Sequence, residues 1–236
     1  MFVHDESLTF PKLRQVNLST GRCYVAEEGE NRGLVLPSIT RILGKKPKPQ
    51  LAAWKERLGP AEASRQSAIA TVQGSALHKL MECHLNNQDL PRFGPNVAEL
   101  WQHLRGWLNK NITVVYAQEQ DVASHLLGAA GRLDLLALVN DTTITVVDAK
   151  SAKRPKRDEW IEDYFIQGTF YAMATYETTG QKVEQIVVVI LNPETGIQEF
   201  VTTPGKHYRE LMVRIEDFYK SYTVETALDT QPTPVL

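Results

Sequence analysis

The chain of 236 residues is long enough for one well-buried α/β domain and too short for more than two. Hydrophobic residues make up 42% of it and charged residues 23%, proportions that disfavour a disordered or membrane-embedded chain. Its formal net charge of −2 excludes a global attraction to polyanions, so nucleic-acid binding would have to come from local basic patches.

Met1 to Glu6 carries early acids and no Arg-rich amphipathic stretch, so neither a secretory signal nor a transit peptide is expected, and a cytoplasmic setting is. The first 35 residues are turn-rich, with Ser19-Thr20-Gly21 and Glu28-Gly29-Glu30-Asn31 as breakers, and predict a short hairpin. Ser38 precedes Ile39, Ile42 and Leu43 and can cap a short helix ending near Gly44. Lys45 to Pro49 is a proline-broken basic loop. Apolar residues then recur at helical spacing over 50–58, 62–86 and 97–109. After Asn111 the period changes to two, predicting strands over 112–122, 132–139 and 143–149, with Asn140-Asp141 as the turn between the last two. A helix over 158–178, a strand over 185–191, a short strand near 198–202 and a helix over 206–222 follow. The run Ile186 to Leu191 reads as a buried strand, far short of the roughly 18 residues of a membrane span. Residues 224–236 read as a loosely ordered tail.

This order predicts an α/β fold, a mixed central β-sheet flanked by helices with an N-terminal helical extension. Residues 1–110 supply a hairpin and helices, and 111–223 the sheet-and-helix core, in one integrated domain. Cys23 and Cys83 lie far apart and form no CxxC pair, which excludes a zinc ribbon and a four-cysteine iron–sulfur cluster within this chain and leaves both as free thiols.

The chemistry concentrates in the hairpin Gly131-Arg132-Leu133-Asp134 … Val147-Asp148-Ala149-Lys150. Side chains two apart on a strand share a face, so Asp148 and Lys150 point together while Ala149 points away. Each acid stands in an otherwise apolar strand. A buried carboxylate without a partner costs several kcal/mol, and a hard divalent cation is one good partner. On that tripeptide alone, an ion pair between Asp148 and Lys150 at a strand end is the favoured reading, and other residue types around it shift the weight toward metal chemistry. His78 follows the small residues Gly74-Ser75-Ala76 on the long helix and shares a face with Glu82. Gln167 and Tyr171 are four apart on the later helix and line one stripe with Tyr164.

The ordered set Gly74…His78, Gly131-Arg132-Leu133-Asp134, Asp148-Ala149-Lys150 and Gln167-Gly168-Thr169-Phe170-Tyr171 resembles the RecB-type branch of the PD-(D/E)XK nucleases, which have a restriction-endonuclease-like core. Within that branch, Pro37-Ser38-Ile39-Thr40-Arg41-Ile42-Leu43 resembles the mitochondrial genome maintenance exonuclease group and related viral exonucleases. The likeness runs from about Pro37 to Leu191. It implies that Asp134 and Asp148 bind the metal with the backbone carbonyl of Ala149, that His78 lies at or beside it, and that Glu119 is a nearby acid. It implies that Lys150 orients or helps activate the attacking water, and that Gln167 and Tyr171 support the site or the DNA backbone. The implied cofactor is Mg2+ or Mn2+, as one or two ions, in keeping with oxygen donors. Two departures stand out: no proline lies near Asp134, and the four-cysteine staple of some relatives is missing, which places the chain in the branch without an iron–sulfur cluster.

The expected activity is a metal-dependent DNA exonuclease acting on single-stranded DNA or DNA ends in replication, recombination or repair. A structure-specific endonuclease and a non-catalytic DNA-binding module on the same fold remain alternatives. Two basic stretches, Arg41-Lys45-Lys46-Lys48-Lys55-Arg57 and Lys150-Lys153-Arg154-Lys156-Arg157, are candidate phosphate contacts. Trp54 and Trp160 are candidates for base stacking, or for packing on a helix face.

Overall fold

The computed structural model describes residues 1–229. In chain order the strands and helices are β1 (Val3–His4), β2 (Leu13–Leu18), β3 (Gly21–Ala26), β4 (Val35–Pro37), α1 (Ile39–Gly44), α2 (Pro49–Leu58), α3 (Pro60–Leu85) and α4 (Pro95–Asn111). Then come β5 (Ile112–Ser124), β6 (Ala129–Val139), β7 (Thr143–Ser151), a short 3-10 turn (Asp158–Trp160), α5 (Glu162–Thr179), β8 (Gln185–Asn192), β9 (Gly196–Thr202) and α6 (Pro204–Asp229).

A six-stranded mixed sheet in the order β1-β5-β6-β7-β8-β9 forms the centre. β5, β6 and β7 run as an antiparallel meander. Asn140 and Asp141 both take left-handed φ values of 53° and 60°, as a two-residue turn matched to strand twist requires. α5 then carries the chain across to β8, which lies parallel to β7. β8 is buried on both faces, which is why Ile186-Val187-Val188-Val189-Ile190-Leu191 shows no alternation.

Strand alternation divides the core into layers. Leu77, Leu80 and Met81 of α3 and Leu100, Leu104 and Leu108 of α4 pack on Leu135, Val147, Ala149, Val187 and Val189. On the other face, Ile39 and Ile42 of α1, Ile166 and Phe170 of α5, and Leu211 and Phe218 of α6 cover Leu136 and Val146. Ile161 and Phe165 close over Ile186, Val188 and Ile190. The result is the mixed sheet flanked by helices that the element order predicts. Ser38 caps α1 as expected, accepting the Arg41 N–H at 3.2 Å. Both cysteines are free and buried. Among the described residues, no helix is long and apolar enough to cross a membrane.

Three elements differ from the sequence expectation. The N-terminal hairpin acquires a third strand and becomes a separate β2-β3-β4 sheet, whose Tyr24 and Leu36 pack on Ala123 and Ala130. β1 joins the main sheet beside β5; two residues are too short to show any periodicity. α6 continues to Asp229, into the first part of what reads as a tail, because 223–229 contains neither proline nor glycine to stop it. The remainder, 230–236, lies outside the described residues.

The crossover helix sits against β8 at Gly168. A Cβ there would lie 2.5 Å from Cγ2 of the buried Ile186, a branch methyl with no room to retreat. Gly168→Ala should therefore cost up to about 2 kcal/mol, since overpacking of ~1–3 kcal/mol is offset by the ~1 kcal/mol helix-propensity gain. Denaturant titration should show a lower midpoint at unchanged slope.

Candidate active site

β6 and β7 bring the two aspartates together. Asp148 is 1% exposed and Asp134 is 8% exposed. Between them lies the Lys150 ammonium, which donates to Asp148 Oδ1 at 2.5 Å and stands 3.7 Å from Asp134 Oδ2. The Tyr164 ring of α5 closes one side, its centroid 5.6 Å from Lys150 Nζ. Asp134 is further fixed by the Ala149 N–H, which donates to its Oδ2 at 3.1 Å. Alternation therefore divides the work within Asp148-Ala149-Lys150. The charged side chains face the site, the Ala149 methyl enters the core, and its backbone polar groups reach the site.

α3 supplies His78 from the opposite side. Its Nδ1 lies 3.0 Å from Glu119 Oε1 and 3.6 Å from Asp134 Oδ1, and its Nε2 lies 3.0 Å from the Ala149 carbonyl oxygen. Both ring nitrogens face acceptors, an arrangement that suits the doubly protonated ring. Burial opposes that charge, but the Asp134 and Glu119 carboxylates outweigh it and raise the His78 pKa to about 9. Burial also opposes the Lys150 charge, and again Asp148 and Asp134 prevail, holding the ammonium well above the usual lysine range. The Asp148 carboxyl is pushed upward by burial, against the pull of Lys150.

Glu119 enters the site through an unusual backbone. Gln118 pairs with Leu135 and Gln120 with Leu133, which sets Glu119 opposite Asp134. Its φ of 46° is left-handed, a conformation that costs a non-glycine residue about 1–3 kcal/mol and collects at functional positions. No periodicity in β5 signals this turn of the chain.

The residues present suit a hard divalent cation. Donor atoms of His78, Glu119 and Asp134 lie within 4.8 Å of one another. Asp148 Oδ2 is buried without a hydrogen-bond partner, and the Ala149 carbonyl lies beside the imidazole. Three carboxylates thus face one permanent cation, Lys150, and an imidazole. That excess of buried negative charge, with a carboxylate oxygen left over, is what a cation would neutralise.

Gln167 and Tyr171 lie beside Asp134 and line the same cleft as it does. Gln167 Nε2 donates to the Tyr171 hydroxyl at 2.7 Å, and both are buried. Tyr171 packs so closely on β6 that a Cβ at Gly131 would come within 2.9 Å of its ring. A cleft of about 380 Å3 lined by Gly74, Ser75, His78, Lys79, Glu82 and Glu119 opens on one side of the site. A second, of about 200 Å3, opens on the other among Arg22, Tyr24, Ser38, Thr40, Arg132 and Gln167. Glu119 borders both. Arg132 was legible as sharing the Asp134 face, two residues away, although Asp121 holds its guanidinium at 2.7 and 2.9 Å. Arg22 and Tyr24 come from the N-terminal sheet, and nothing in their sequence neighbourhood marks them.

The first basic stretch is not a free cationic surface. The Arg41 guanidinium lies over Phe218 and Tyr222 and donates to Cys23 Sγ at 3.3 Å. Lys46 faces Glu210 at 3.9 Å and Lys48 meets Asp163 at 2.8 Å. In the second stretch, Lys153 and Arg154 are exposed, and Arg157 sits over the half-exposed Trp160 ring at 5.2 Å. Trp54 is half-buried.

No protein-family model matches the chain, and no curated protein matches its sequence. Solved structures do. A protein from Eubacterium rectale provisionally named an exonuclease shares 13% identity, with 71% of this chain and 77% of that one covered at a TM-score of 0.48. A phage-related exonuclease from Haemophilus somnus shares 11% identity, covering 64% and 82% at a TM-score of 0.33. An alkaline exonuclease from Laribacter hongkongensis shares 15%, covering 66% and 86% at 0.31. The functional reading rests on the site's own geometry.

His78 gives that geometry a thermodynamic signature. Its raised folded pKa means its contribution to stability is fully present below the unfolded value near 6.5 and is lost as pH rises through about 9. In chelator, the thermal midpoint should fall across that window more steeply for the parent protein than for His78→Gln. Parallel pH profiles would show that the ring carries no extra proton in the fold.

Proposed function

We propose that this chain is a divalent-cation-dependent nuclease that hydrolyses phosphodiester bonds in DNA. The carrying observation is the convergence of Asp134, Asp148 and Lys150, with His78, Glu119 and the Ala149 carbonyl around them. A protein that only bound DNA would gain nothing from gathering three carboxylates, two of them buried, in one pocket, since they repel phosphate.

Asp134, Asp148, Glu119 and the Ala149 carbonyl, with His78 once its ring has released a proton, are the groups that would hold Mg2+ or Mn2+, enough donors for one ion or two. When bound, the cation supplies Lewis-acid stabilisation of the scissile phosphate and of the charge that develops on it. Lys150, whose charged form the neighbouring carboxylates favour, would orient the attacking water and meet developing negative charge. The Ala149 N–H and His78 hold Asp134 from two sides, so its carboxylate does not swing with substrate. Gln167 and Tyr171 fix the wall beside it.

The substrate we favour is single-stranded DNA or a DNA end, engaged in replication, recombination or repair. Two clefts meeting at Glu119 give a strand an approach and a departure, while the exposed Lys153 and Arg154 lie just beyond Lys150. Such phosphate contacts carry little sequence information, so weak sequence preference and strong salt dependence should follow.

Asp148→Asn and Lys150→Gln each preserve shape and should lower cleavage of an end-labelled oligonucleotide by about 100-fold or more, with circular dichroism unchanged. Chelation with EDTA should stop the parent enzyme, and Mg2+ or Mn2+ should restore it. Undiminished cleavage by either variant, or in chelator, would refute the mechanism. Comparing linear and circular single- and double-stranded DNA, with free and blocked ends, separates an exonuclease from an endonuclease.

A further inference from the structure

α2 is a ten-residue helix with almost nothing to hold it. Among its described side chains only Trp54 is even half-covered, and its N-terminus has no side-chain cap. A helix of this length without a buried face is marginal in water. At its far end Gly59, with φ 78°, turns directly into α3. At its near end the chain is tied by charge. Lys48 Nζ meets Asp163 Oδ2 at 2.8 Å, and Asp163 Oδ1 accepts from Arg214 Nη2 at 3.2 Å. Arg214 Nε in turn donates to Glu210 Oε1 at 2.8 Å, and Lys46 stands 3.9 Å from that same oxygen. Arg214 is only 6% exposed, so this chain of ion pairs is anchored in the body of α6.

The residue after Asp163 is Tyr164, whose ring lies against the Lys150 ammonium. Lys48 also lies close enough to act on the Tyr164 hydroxyl, with Asp163 opposing it. The first turn of α5 is therefore shared between the tie to α2 and the wall of the active site.

From this arrangement we infer that Lys48 is a positioning residue: through Asp163 it fastens the entry of α2 and seats Tyr164 against Lys150. Its role is that of a latch, and it does not contact substrate phosphate. The catalytic half of this inference rests on the nuclease reading, while the structural half does not. A phosphate-binding lysine and a latch differ in what Asp163 does. If Lys48 held DNA, Asp163 would be an unhelpful neighbouring charge, and its removal would leave α2 undisturbed. If Lys48 is a latch, removing either partner releases the same helix.

The test combines amide hydrogen exchange with steady-state cleavage in Lys48→Ala, Asp163→Asn, the double variant and Lys48→Arg. Exchange over 51–58 should quicken about two- to fivefold in each single variant, the span of a partly exposed ion pair. The double variant should lose no more than the greater single loss, since the two act as one unit. Cleavage should fall by a similar factor in kcat with KM nearly constant, and Lys48→Arg should restore most of it. The salt dependence of cleavage should keep its slope. If Asp163→Asn fails to fold, Lys48→Ala and Lys48→Arg decide by themselves. Unchanged α2 exchange in Lys48→Ala, additive losses, or a salt slope reduced by about 0.7–0.9 would overturn the latch. Faster exchange in a chain that cleaves no DNA would uphold the latch and reject the nuclease reading instead.

Discussion

The structure is organised around electrostatic repulsion that the chain holds in place. Asp134, Asp148 and Glu119 lie in a partly desolvated pocket where like charges strongly disfavour one another. Lys150 lies between two of them, and His78 bridges the third to Asp134. The pairing is incomplete, because one oxygen of Asp148 remains unsatisfied. A fold tolerates such a concentration only when the elements supplying the acids are fixed independently. Here they are fixed by the apolar layers on both faces of the sheet, which secure β6 and β7 without help from the charged residues.

How much of this could be read in advance depends on how local the cause is. β6 and β7 were legible because alternation and the Asn140-Asp141 turn are properties of adjacent residues. Their legibility carries Asp134, Asp148 and Lys150 with it, since a strand's period dictates which side chains share a face. His78 was legible only through the neighbouring small residues and the order of motifs, since helical spacing says nothing about what the helix approaches. The N-terminal sheet was largely hidden. β1 and β4 are too short for a pattern, and Arg22 and Tyr24 reach the second cleft because their small sheet packs on Ala123 and Ala130, about a hundred residues along the chain. The basic loop was visible as composition, but its partners, Asp163 and Glu210, lie more than a hundred residues away, and composition gave no sign that its charge was already spoken for.

The same contrast separates the two halves of the site. The sheet half is rigid because β7 lies between β6 and β8, with every residue from Thr145 to Ser151 in ladder register with β8. The helical half depends on α3, whose C-terminal portion is buried under α4 while its N-terminal portion is largely exposed. His78 sits near the boundary between these regimes. Its neighbours Leu77, Leu80 and Met81 are core residues, so the ring is carried on the buried end of the helix.

Glu119 turns backbone geometry into an evolutionary constraint. Its left-handed φ is one that glycine adopts without penalty, so drift toward glycine at this position would relax β5 and favour folding. The same change would delete the carboxylate that borders both clefts. On the proposed nuclease reading, selection for a sturdier molecule and selection for a competent one would thus pull this single codon in opposite directions, and a glycine here in a descendant would mark a lineage that had exchanged chemistry for durability.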